Sequence, residues 1–173
     1  WIYSCIGPLY PYATFHVDDQ TLGMRVCGWM EKAYDITGYL YYLVNKYDGP
    51  KGEKIDVYTN PLRFAPAYGD GYLLYPGKPY GSDKPFASLR LASYRDGMND
   101  YDMLCVYEKL LKEYAARNGI QDIDMKDYVS DLYDSLFKDM VYEKEDERIY
   151  QARRVLANRI IALKNGETPN KIK

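Results

Sequence analysis

The residues of this chain that could do chemistry are few. Neighbouring carboxylates occur at Asp18-Asp19 and Asp146-Glu147, and two acids lining one cleft are the usual equipment for general acid and base work. The second pair sits in the run Glu143-Lys144-Glu145-Asp146-Glu147-Arg148, at the start of an expected helix, where acids favour the positive end of the helix dipole on a solvated face. Asp18-Asp19 is expected at a helix N-terminus for the same reason. Neither pair is assigned to catalysis, and no catalytic residue is expected in the chain. His16 is the only histidine; nothing marks a nucleophile beside it, so it is expected in a loop. Zinc sites built on several imidazoles are impossible. Cys5, Cys27 and Cys105 lie far apart among apolar neighbours, which excludes a disulfide framework and makes Cys5 a small core residue. No metal and no cofactor is called for.

Residues suited to holding a ligand are more numerous. The chain carries 21 Tyr against 4 Phe and 2 Trp, and tyrosine buries a ring while keeping a polar tip. Such rings suit a cleft that stacks on sugar faces and hydrogen-bonds hydroxyls, and they also occur in sheets and interfaces through β-propensity alone. Asn45 closes an expected strand, where its amide could donate to and accept from a hydroxyl or cap a turn. Tyr41 and Tyr42 precede it and must point to opposite sides of that strand, so one packs. Asp70 stands between Gly69 and Gly71, a spacing that presents one carboxylate either to a ligand or to its own loop amides. Tyr75, in Tyr75-Pro76-Gly77, could meet a sugar face or end a strand, and Tyr3 closes the first strand. Arg90 and Arg95, with Asp96 and Asp100, sit at spacings that permit local ion pairs and are expected to organise structure.

These residues need a scaffold, and 173 residues suit one domain or one large piece of one. With 47% hydrophobic and 28% charged residues, the composition is that of a chain that builds a core. A formal net charge of -2 offers no basic excess, so neither nucleic acid nor an anionic membrane is expected as partner. No stretch approaches the roughly 20 apolar residues that span a bilayer. The start at Trp1 without an initiator Met suggests a processed or truncated piece.

Trp1 to Cys5 is expected as a strand, Thr21 to Asp35 as an amphipathic helix with Leu22, Val26, Trp29 and Met30 on one face, and Ile36 to Val44 as a second strand. The second strand is almost continuously apolar, the pattern of a strand covered on both faces, and strand, helix, strand predicts a parallel pair. Residues 48–85 hold Asn60-Pro61, Gly69-Asp70-Gly71, Tyr75-Pro76-Gly77 and Gly81, with eight aromatic residues from Tyr47 through Phe86; a loop this long is usually functional. Further helices are expected over Ser88–Asn118, with a break in pattern at Gly97, from about Met125 through Met140, and from about Glu145 to Leu163, followed by a frayed tail.

Four segments together are distinctive: Trp1-Ile2-Tyr3-Ser4-Cys5, Thr37-Gly38-Tyr39-Leu40-Tyr41-Tyr42-Leu43-Val44-Asn45, Gly69-Asp70-Gly71-Tyr72-Leu73-Leu74-Tyr75-Pro76-Gly77, and Ser88-Leu89-Arg90 through Arg95-Asp96-Gly97-Met98-Asn99-Asp100-Tyr101. In this order, over roughly residues 1–105, the chain resembles the C-terminal part of the catalytic domain of glycoside hydrolase family 123, also known as domain of unknown function 4091. Tyr42 departs from relatives that commonly carry Trp there, and it keeps an aromatic platform. The resemblance implies an α/β fold: the last strands and helices of a (β/α)8 barrel over 1–119, with the long aromatic loop at 48–85, followed by a small helical extension over 120–173. It also implies a retaining β-N-acetylgalactosaminidase chemistry in which the substrate's own acetamido oxygen attacks the anomeric carbon. An adjacent Asp-Glu pair would steady the acetamido group and act as acid and base. That pair is expected outside this chain, which alone should be inactive.

Carbohydrate is then the expected ligand, with Tyr3, Tyr41, Tyr42, Asn45, Asp70 and Tyr75 contacting it at the C-terminal strand ends. The alternatives are a non-catalytic carbohydrate-binding module and a structural unit whose chemistry has been lost. Two parallel strands leave open edges, so the rest of the parent barrel or another copy of the chain is expected along them. By the resemblance, the protein is secreted or periplasmic.

Overall fold

The computed structural model describes residues 1–49, 51–61 and 67–172. Phe64, one of the aromatic residues of the long loop, lies outside them. Strand β1 (Ile2–Ser4) is followed by α1 (Leu22–Ala33), β2 (Tyr39–Tyr41), β3 (Leu74–Tyr75), β4 (Phe86–Ala87), α2 (Leu89–Arg117), α3 (Ser130–Leu136), β5 (Phe137–Lys138), β6 (Val141–Tyr142) and α4 (Asp146–Lys164). The fold is therefore mixed α/β, with four α-helices and three two-stranded sheets, and the described residues form no closed barrel.

β1 and β2 pair in parallel, with Ile2 opposite Tyr39 and Ser4 opposite Tyr41, as the strand, helix, strand order predicts. The second strand is shorter than its apolar run, because the chain leaves β2 after Tyr41 and turns back on the glycine-rich loop. Leu73 donates from its backbone N–H to Val44 O at 2.8 Å, and Lys46 to Gly71 O at 2.8 Å. Nor is the sheet covered on both faces. Alternation sends Ser4 (3% exposed) inward and leaves Tyr3 (50%) and Leu40 (53%) outward. Trp1 lies over Gly38, where a Cβ would stand 2.5 Å from the indole.

Helix α1 is buried on nearly every side, as a helix between two layers must be. Met24 and Cys27 face the sheet and join Phe15 and Leu73, against which Tyr39, Tyr41, Leu91 and Tyr94 pack. Val26, Trp29 and Met30 face the larger core, filled by Leu104, Tyr107 and Leu111 of α2, Leu132 and Leu136 of α3, and Ile149, Leu156 and Ile160 of α4. The apparent break at Gly97 leaves α2 unbroken. It is the point where α1 and α2 touch backbone to backbone: a Cβ on Gly28 would lie 2.1 Å from Gly97 O, and one on Gly97 2.6 Å from Arg25 O.

Asp100 is fully buried there. Its carboxylate accepts from Arg25 Nε at 3.0 Å and Trp29 Nε1 at 3.2 Å and pairs with Arg153 of α4. The expectation of local ion pairs holds only for Arg95 and Asp96, 2.8 Å apart. Asp100 points into the helix crossing and so meets α1 and α4 instead.

Two further expectations change. Asp18-Asp19 does not cap α1, whose first turn carries no acid; Asp19 takes the Thr14 hydroxyl instead. The third helix does not run from Met125 to Met140: residues Met125–Tyr128 form a 3-10 turn and the α-helix ends at Leu136. A β5–β6 hairpin follows, with Asp139 in its turn at φ 53°, a conformation that Asp tolerates better than most residues.

Candidate functional site

Three segments meet at the C-terminal end of the small parallel sheet: the ends of β1 and β2, the loop 67–75 and the first turn of α2. Ser88 caps α2, its hydroxyl accepting from Leu91 N at 3.2 Å, and its own N–H donates to Leu73 O at 2.8 Å. The helix start is thereby tied to the loop.

Arg90 holds the loop in place. It is 4% exposed, and its guanidinium donates to Phe15 O at 2.5 Å, Gly69 O at 2.9 Å, Tyr72 O at 2.8 Å and Tyr75 Oη at 3.3 Å. A planar fork of five donors can reach these four acceptors at once, one more than the three donors of an ammonium. The same group lies 5.6 Å from the Tyr72 ring centre. Gly69 and Gly71 both adopt positive φ, 80° and 84°, and a Cβ on Gly69 would stand 2.6 Å from Arg90 Nη1. The Gly-Asp-Gly spacing thus answers to backbone conformation and to the close approach of the arginine.

The six ligand candidates are placed as follows. Asp70 is fully buried and lies against the half-buried Tyr41. The Tyr41 hydroxyl accepts from Gly71 N at 3.1 Å, and its phenol is pushed well above its ordinary value, first by burial and then by the Asp70 carboxylate. Tyr3 reaches the same end from the outer face; its phenol is pushed up to about 12, chiefly by its hydrogen bond with Cys5, with Asp70 and Tyr42 adding smaller repulsions. Tyr42 (45% exposed) and Asn45 face outward just beyond β2, and Asn45 bridges Tyr72 through its backbone. Tyr75 stands apart, on the far side of Arg90. Its ring meets Tyr58 and Tyr72 at 5.3 and 5.5 Å between centres. There it lines a groove of about 420 Å³ with Tyr58, Phe86 and Arg90. Five candidates therefore gather at the sheet end, and the sixth opens on a neighbouring groove.

His16, a loop residue as expected, is buried and steadies the end of β1. Its Nε2 lies 2.8 Å from Cys5 O, and its Nδ1 3.6 Å from Asp19. Beneath the sheet is a second polar cluster that the sequence did not reveal. Glu31, 6% exposed, accepts from Tyr94 Oη at 3.2 Å and faces Cys27 Sγ at 3.7 Å. Burial pushes the Glu31 carboxyl up, against these hydrogen bonds. Asp146 and Glu147 lie in the first turn of α4, where the helix dipole favours them.

Arg90 is the functional residue for which only local partners were expected. One signal was present: a cation in the first turn of a helix opposes the dipole, so it must be held by something other than its own helix. Among the described residues, no group of three or more His, Cys, Asp or Glu could hold a metal ion, and no helix is long and apolar enough to cross a membrane. A family model described as the glycoside hydrolase 123 catalytic domain matches residues 1–107. No curated protein matches the chain.

Proposed function

The chain belongs to the glycoside hydrolase 123 catalytic-domain family, and from that premise we propose that it forms one wall of a glycosidase site for N-acetylhexosamine glycans of the N-acetylgalactosamine type. Hydrolysis proceeds with retention: the substrate's acetamido oxygen attacks the anomeric carbon, and an Asp-Glu pair outside this chain steadies the acetamido group and serves as acid and base. Tyr3, Tyr42 and Asn45 contact the sugar, the rings by stacking and the amide by hydrogen bonds. Tyr41, Asp70 and Arg90 hold that surface in place, and Tyr75 extends it into the neighbouring groove.

The observation that carries the proposal is the locking of the Gly69-Asp70-Gly71 loop by buried Arg90, which leaves exposed tyrosines at the end of a parallel strand pair. Preorganisation of this kind is what a substrate-positioning wall requires. The strand edges and the outward Trp1 and Leu40 are covered by the remaining strands of a (β/α)8 barrel, or by another copy of the chain.

The test is hydrolysis of an aryl β-N-acetylgalactosaminide. A protein carrying this chain together with the acid-bearing strands turns the substrate over, Tyr42→Ala raises KM, and the chain by itself is inert. Turnover by the chain alone would place the acids within it and overturn this division of roles. A second reading, a glycan-binding wall without chemistry, is favoured by the complete burial of Asp70. Binding without turnover in the longer protein would establish it.

A further inference from the structure

A groove of about 590 Å³ lies away from the sheet, between the end of α1 and the α3–β5 corner. Its volume falls in the roughly 300–1,000 Å³ range of small-molecule sites. Most of its lining belongs to residues 126–139, beyond the family match. Three rings form its apolar wall: Phe137 stands 5.9 Å from Tyr34 and 5.8 Å from Tyr133 between ring centres. Tyr34 is 45% exposed, yet its hydroxyl donates to Asp139 O at 2.6 Å, so the ring is held ready at little further entropic cost. The rim carries Ser130, two cations (Lys126 and Lys138) and two acids (Asp134 and Asp139). The Tyr133 hydroxyl is buried and has no hydrogen-bond partner among the described residues.

We propose that this groove binds a neutral saccharide ring, as a site separate from the wall at the sheet end. The balance of charge selects the ligand class. An anion would face Asp134 and Asp139, a cation would face Lys138 and Lys126, the latter already paired with Asp35 at 3.2 Å, and a wholly apolar ligand would desolvate these groups without replacing their hydrogen bonds. A sugar offers an apolar C–H face to the Tyr34 ring and hydroxyls that donate to carboxylates and accept from ammonium groups. The site adds capture of glycan near the reacting chain and takes no part in bond cleavage, so it stands whether or not the proposed hydrolysis does.

The experiment is an NMR titration of the isotope-labelled chain with galactose and with N-acetylgalactosamine, using benzoate and tetramethylammonium as charged probes. Saturable shifts are expected at Tyr34, Ser130 and Phe137 with millimolar affinity, weakened about tenfold or more in Tyr34→Ala and unchanged in Tyr42→Ala. Asp134→Asn, on an exposed side chain, is expected to weaken binding too and serves if Tyr34→Ala disturbs the fold. No saturable shift at these residues, shifts that survive both substitutions, or equally tight binding of either charged probe there would overturn the proposal.

Discussion

Two buried charges organise two regions of this molecule in different ways. Asp100, at the helix crossing, is held by side chains of α1 and α4 on rigid helices. Arg90, at the sheet end, is held by backbone carbonyls of two loops. In the first case packed helices bring the partners together, and the ion pairs occupy a place that packing has already made. In the second, Phe15 and Leu73 seat the loops in a smaller core, and the arginine ties their backbones together. The comparison teaches that a site can be rigid without lying in the main core, provided one multidentate donor gathers its backbone.

The sharpest test of that contrast is Asp100→Ala, which leaves Arg25 and the Trp29 N–H without their shared acceptor. A loss of about 3–5 kcal/mol in denaturant-measured stability is expected, with global unfolding. A loss below about 1 kcal/mol would show that the crossing does not depend on it. Gly28→Ala attacks the same crossing through the backbone contact with Gly97; overpacking should cost about 1–3 kcal/mol, and a stabilised variant would contradict the close approach.

Arg90→Lys should cost about 1–2 kcal/mol, less than Asp100→Ala, and its effect should be local. Amide exchange is expected to quicken at residues 69–73 while α4 stays protected. Uniform quickening across both regions would erase the distinction. The smallest effect belongs to Glu31. Its folded carboxyl binds a proton more tightly than the unfolded one, whose ordinary value is near 4.5. The native state therefore gains stability as pH falls through the raised value and loses it as pH rises. Glu31→Gln should flatten the stability profile above about pH 4.5 and leave stability at neutral pH equal or slightly higher, read by thermal melts across pH. A profile that steepens would reverse the sign assigned to its burial.

Much of the scaffold was legible because it is local. Helical spacing located α1, α2 and α4 to within a few residues, and the strand, helix, strand order implied the parallel pair. The third helix was overextended because Met140 continues the apolar spacing, whereas Asp139 takes a left-handed turn and Phe137 is drawn under Tyr34. Gly97 looked like a defect in a pattern until the neighbouring helix gave it a purpose. At the site, Gly69 and Gly71 announced a tight turn around Asp70. The carboxylate's burial against Tyr41 was not legible, since nothing in the spacing says which strand that loop will meet.

Periodicity, turn residues and charge balance by themselves determined a mixed α/β chain with a tyrosine-rich loop and the Asp146-Glu147 pair at a helix start, because these properties depend on neighbours a few residues apart. Tertiary structure alone decided that Arg25 would find Asp100 and Arg90 would find Phe15, each 75 residues away. It also decided that β2 would stop at Tyr41 and that Tyr75 would line a groove away from Tyr42. Such pairings follow from which surfaces remain unsatisfied once helices and strands pack, and sequence spacing carries no record of that competition.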